Sequence, residues 1–155
     1  MNKYFIIFLA IVFSSCSQII NQIVDDYNYS LLPGFEIVYR DFGDIETLGD
    51  VSRVTAELCP YAYEGINNYY QSPGETLERG CGDCDDRSIL FMNIAYVELG
   101  VKCGFAGTNS RTVYSGGLFD HWIIEYCGRF FDPISMKEYS RSEICYYYTF
   151  DEVFY

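Results

Sequence analysis

From Ile89 to Leu99 the chain is apolar at nearly every position, with Asn93 and Glu98 as its strongly polar interruptions. At 3.6 residues per turn, Leu90, Ile94 and Val97 fall on one side of a helix, and Ser88, Phe91, Ala95 and Leu99 on another. A helix apolar nearly all round belongs inside a domain, packed against sheet or other helices. Gly80 and Gly82 loosen the backbone before it, and Asp83, Asp85 and Asp86 suit the positive end of its dipole. Gly100 closes it as a C-terminal cap. Cys84 therefore stands at the N-terminus of a buried helix, where backbone N–H groups favour a thiolate.

The rest of the pattern is shorter in period. Phe35-Glu-Ile-Val-Tyr39 reads as a strand after the Pro33-Gly34 turn, and residues 41–49 as a loop. Asp50 is placed to cap a helix running to about Leu58, stopped by Pro60. A second short helix is expected within Tyr61–Tyr70, broken by Ser72-Pro73-Gly74. After Gly100, Val101–Gly107 reads as a strand, followed by a loop over Thr108–Gly117. His121–Tyr126 and Arg129–Asp132 form a hairpin around Cys127-Gly128. In that register Asp132 lies opposite Ile123, on the face of His121 and one diagonal step away, a separation side chains can bridge. A slip of one residue would turn it to the other face. The tail from Ile134 to Tyr155 packs back as a further strand or cover.

The 155 residues make one domain with a real core, and a chain half hydrophobic and 19% aromatic is not disordered. A net charge of −12 and a pI near 4.3 exclude a nucleic-acid partner, which needs a basic face. The start of the chain reads as an export signal: Lys3, then the apolar run Tyr4–Phe13, too short to span a bilayer. Phe13-Ser-Ser-Cys16 resembles a lipobox, which makes Cys16 the acylated anchor of an exported bacterial lipoprotein. The alternative is a plain cleaved signal with Cys16 incidental. Residues 1–16 are then the signal, 17–30 a tether, and 31–155 the domain. A monomer is expected.

His121 is the single histidine, so any mechanism that needs an imidazole must use it. Cysteine on a helix start, histidine on a later strand and aspartate on the next are the parts of a thiol triad. In it His121 takes the Cys84 proton, Asp132 orients the imidazolium, and the thiolate attacks a carbonyl. The Cys84 backbone N–H is one oxyanion donor; a second is not identifiable. Glu125 shares the face of His121 and rivals Asp132.

Three motifs carry a resemblance. Ser72-Pro-Gly-Glu-Thr-Leu-Glu, then Gly82-Asp-Cys-Asp-Asp-Arg-Ser-Ile-Leu before a helix ending Glu-Leu-Gly-Val, then His121-Trp with Glu125, Gly128 and Phe131-Asp-Pro133, resemble the transglutaminase-like cysteine protease superfamily. The likeness spans roughly residues 50–134. It implies an α+β, papain-like fold with a central buried helix on an antiparallel sheet. It also implies Cys84 as nucleophile, His121 as base and Asp132 as third member, acting on a protein or peptide substrate without cofactor or metal. The chain departs from the pattern in its short His-to-Asp spacing, the second thiol Cys81, and the lack of an upstream tryptophan for the oxyanion.

Other readings compete. Cys81-Gly-Asp-Cys84 has the spacing of a thiol–disulfide oxidoreductase, although Glu75–Gly80 is not the strand that a thioredoxin-like domain would place before it. Cys81, Cys84, Cys103 and Cys127 are a conceivable zinc set, but the last two lack paired spacing. Cys59, Cys81, Cys103, Cys127 and Cys145 are an odd five with no pairing assignable. A catalytically silent peptide- or partner-binding module of the same fold is the alternative from another class.

Overall fold

A computed structural model describes residues 34–63, 69–108 and 121–155. The expected signal, the expected lipidation site Cys16 and the tether therefore lie outside the described residues, as do half of the expected helix within Tyr61–Tyr70 and most of the loop before His121. The elements are α1 (Leu48–Leu58), α2 (Pro73–Arg79), α3 (Cys84–Leu99), β1 (Gly104–Thr108), β2 (His121–Tyr126), β3 (Arg129–Phe131), β4 (Glu138–Tyr139), β5 (Ile144–Tyr148) and α4 (Phe150–Phe154). They form an α+β arrangement in which helix α3 packs on a five-stranded sheet of order β4-β3-β2-β1-β5, every neighbouring pair antiparallel.

The all-round apolar helix is buried as its pattern requires. Every residue from Ile89 to Ala95 is fully buried. Phe91 meets Phe131 of β3 edge-on at 6.0 Å, while α1 and α2 lie against other parts of the helix. Each large apolar side chain buried this way contributes about 1.5–3 kcal/mol. Gly100 takes the left-handed conformation at φ 66° and stops the helix.

Three local expectations change. Phe35–Tyr39 is not a strand, because what lies beside it is a helix. The Asn93 side-chain amide takes the place of a strand partner: its Oδ1 accepts from Val38 N at 2.8 Å and its Nδ2 donates to Val38 O at 3.1 Å. The one central polar residue of α3 is thus satisfied by the segment it holds. Asp50 is not the cap of α1 but its third residue; Thr47 is the cap, and the Asp50 carboxylate accepts from Thr47 N at 3.0 Å and Thr47 Oγ1 at 2.8 Å. Ser72-Pro73-Gly74 opens a helix instead of breaking one. Ser72 caps α2 reciprocally with Glu75, and Pro73 occupies the first turn, where its missing N–H costs nothing.

The hairpin forms in the expected register, with Tyr126 opposite Arg129 and Ile124 opposite Phe131. Cys127 and Gly128 both have positive φ, 52° and 77°, which matches the turn to the twist of the strands. β1 starts at Gly104 instead of Val101 and includes Thr108. The tail supplies β4, β5 and the covering helix α4.

Candidate active site

Cys84 is the first residue of α3, after an extended Asp83 at φ −96° and ψ −156°. Its N–H belongs to the first turn and has no partner inside the helix. The turn is braced by Asp86, which is completely buried. Asp86 Oδ1 accepts from Gln71 N at 2.8 Å, and Oδ2 accepts from Gln71 Nε2 at 2.7 Å and Asp83 N at 3.2 Å. Gly82 lies over this carboxylate and exchanges backbone hydrogen bonds with Pro60 and Ala62. A Cβ on Gly82 would come within 2.6 Å of Asp86 Cβ and 2.7 Å of Oδ2. Gly82→Ala is therefore expected to lower stability by about 1–3 kcal/mol and to slow alkylation of Cys84, checked by urea unfolding and iodoacetamide kinetics on the same sample.

The hydroxyl of buried Ser88 is shared between Cys84 O at 2.7 Å and Trp122 O at 3.2 Å, which couples the first turn of α3 to β2 beside His121. The sequence marks Asp86 only as a helix-start acid and Ser88 only as a helix-face position, and it gives Gln71 no role. The signal available for Asp86 was its position three residues after the helix cap; that for Gln71 and Ser88 is long-range and local sequence does not carry it.

His121 opens β2, and its Nε2 lies 2.5 Å from Asp132 Oδ2. Both side chains are largely buried, at 26% and 15% exposure. The other carboxylate oxygen of Asp132 accepts from Ile134 N at 2.9 Å, Ser135 N at 2.6 Å and Ser135 Oγ at 2.9 Å, so the carboxylate is locked in orientation. Burial pushes its pKa up, but the hydrogen bonds from His121, Ser135 and Ile134 outweigh this and hold it well below the usual carboxylate range. For His121, burial opposes the charged ring, but hydrogen bonds to Asp132 and Cys84 and the charges of both carry the pKa to about 9. With Nε2 taken by Asp132, Nδ1 is the ring nitrogen left for the Cys84 sulfur. The three residues singled out for chemistry are thus brought together.

This pair also sets a pH dependence. The folded pKa of His121 lies above its ordinary value of 6.5, so its stabilising contribution is complete below about pH 6.5 and is lost as pH rises through 9. The loss is ~3 kcal/mol between those limits. Asp132 acts in the opposite sense: its depressed pKa contributes stability above its ordinary value of 3.8 that is lost as pH falls. Urea unfolding from pH 2 to 10 should show both flanks, and His121→Ala should remove the alkaline one.

Glu125 does not reach this site. It accepts from Gly128 N at 2.6 Å in the hairpin turn and from Tyr147 Oη at 3.1 Å. Cys81 and Cys84 are both free thiols, with Gly82 bridged to Tyr61 and an extended Asp83 between them. All six described cysteines are free thiols; burial pushes Cys59 and Cys103 up to about 12, which leaves them unreactive. Among the described residues, Asp83, Cys84 and Asp85 bring their ligand atoms within 4.8 Å of one another, but Cys81, Cys103 and Cys127 do not join them, so the four-cysteine zinc set is not assembled. Acids at a helix start need no ion to account for them.

No protein-family model matches the chain, and none of the curated proteins compared with it matches either.

Proposed function

We propose that the protein is a thiol enzyme that cleaves or transfers the acyl group of an amide in a protein or peptide, with Cys84 as nucleophile, His121 as general base and acid, and Asp132 as the residue that orients and stabilises the imidazolium. The observation that carries this reading is the His121 ring held between the Asp132 carboxylate and the Cys84 sulfur at the N-terminus of a buried helix. The papain-like, transglutaminase-like arrangement belongs to the same proposal, supported by the nucleophile on a helix start packed against an antiparallel sheet that carries His121 and leads directly into Asp132. So do export and a lipid anchor at Cys16; no described helix is long and apolar enough to cross a membrane.

In the reaction, His121 Nδ1 holds the proton taken from Cys84, and the sulfur adds to the amide carbonyl. The Cys84 backbone N–H receives the developing oxyanion. Collapse expels the amine, which takes the proton from Nδ1, and leaves a thioester on Cys84. Water or an amine, deprotonated by His121, then attacks the thioester and releases Cys84. In a water-filled compartment hydrolysis is the leading outcome.

The test uses denatured casein together with biotinylated cadaverine. Shorter casein fragments report hydrolysis, biotin on casein reports transfer, and either must vanish in Cys84→Ser. Neither product, together with a Cys84 that alkylates no faster than an exposed thiol, would overturn the enzyme reading and favour a binding module.

A further inference from the structure

A tetrahedral oxyanion is commonly held by two donors, and the backbone N–H of Cys84 supplies one. We infer that the Tyr70 hydroxyl is the second oxyanion donor, a catalytic residue for the acyl chemistry proposed above and dependent on that reading.

The placement of Tyr70 is built from both sides of the site. Its neighbour Gln71 is tied through backbone N and Nε2 to Asp86, two residues beyond Cys84 in the first turn of α3. On the other side, the Tyr70 ring stands edge-on to Trp122 at 5.9 Å and to Phe105 at 6.3 Å. Trp122 directly follows His121 and is itself stacked on Phe105 at 4.1 Å. The phenol is thereby fixed between the helix that carries the nucleophile and the strand that carries the base.

Its hydroxyl is close enough to Cys84, Asp83 and Tyr148 to feel their charges, and burial raises its pKa, so the group stays a protonated donor throughout the working range. Among the described residues the hydroxyl has no hydrogen-bond partner. A half-buried phenol ordinarily finds one, and an oxyanion formed on an acyl carbon attached to Cys84 would supply it. Tyr61 also feels the Cys84 charge, but it is 57% exposed and lies over Arg87 at 5.8 Å. It lacks the clamp that would pre-organise a donor.

The probe is N-acetylglycinal, whose carbonyl adds to the Cys84 thiolate and forms a hemithioacetal oxyanion without any leaving group. Protection of Cys84 from iodoacetamide measures its capture. Tyr70→Phe should need at least about tenfold more aldehyde for half-protection, while its alkylation rate without aldehyde stays within twofold of wild type, because alkylation develops no oxyanion. Tyr61→Phe should protect as wild type does. Equal protection of Tyr70→Phe and wild type overturns the assignment, as does a wild type that alkylates fast but is not protected at any aldehyde concentration. Slow alkylation of wild type without aldehyde, unchanged by His121→Ala, is the separate result that overturns the thiol-enzyme reading itself.

Discussion

Replacing His121 with alanine is expected to slow the alkylation of Cys84 at pH 6 by about 100-fold. An ordinary cysteine, with a pKa near 8.5, is about 0.3% thiolate at that pH. In the wild type the protonated ring, with its pKa near 9, faces the sulfur and favours the ion pair. Removing the ring leaves the helix N-terminus as the remaining help. The measurement is the second-order rate with iodoacetamide from pH 5 to 9, read by mass spectrometry at Cys84. At pH 6 Cys84 of the wild type should react faster than the exposed thiols, and His121→Ala should lose that advantage. Exposed Cys127 and Cys145 provide the internal reference.

Asp132→Asn should be nearly as damaging, and for a reason specific to its surroundings. Both carboxylate oxygens of Asp132 accept: Oδ2 from His121 Nε2, Oδ1 from Ile134 N, Ser135 N and Ser135 Oγ. An asparagine has one accepting oxygen. Whichever way its amide turns, an NH2 faces either the ring nitrogen or the two backbone N–H groups. The expected result is a loss of about 3 kcal/mol of stability and a fall of about 10²–10⁴ in amide turnover. Ser135→Ala removes one of the four hydrogen bonds and should cost only about 0.5–1.5 kcal/mol. Urea unfolding and casein cleavage on the three proteins separate the two effects.

What sequence made legible follows from how local each signal is. The buried helix could be placed because nearly continuous apolar character leaves it nowhere else to go, and Gly100 ends it without reference to the rest of the chain. The hairpin register could be placed because Cys127-Gly128 sets a two-residue turn, and with it the face of Asp132. That the His121 ring meets Asp132 follows from this register alone. The extended segment at Phe35 was misread because its partner is a side chain, Asn93, 55 residues away. Pro73 was misread because a proline that ends one helix and a proline that starts another look alike until Ser72 and Glu75 are seen to cap. The brace of Gln71 on Asp86, and the Ser88 tie between α3 and β2, depend on tertiary contacts and had no period to announce them.

Thiol chemistry at this site requires an imidazole that stays charged between a carboxylate and a sulfur. His121 is the chain's single histidine, so its ring resonances titrate alone in an NMR experiment on the whole protein. A midpoint near pH 9 is expected in wild type, falling in both Cys84→Ala and Asp132→Asn. A wild-type midpoint at or below the ordinary value of 6.5, unmoved by either substitution, would contradict it.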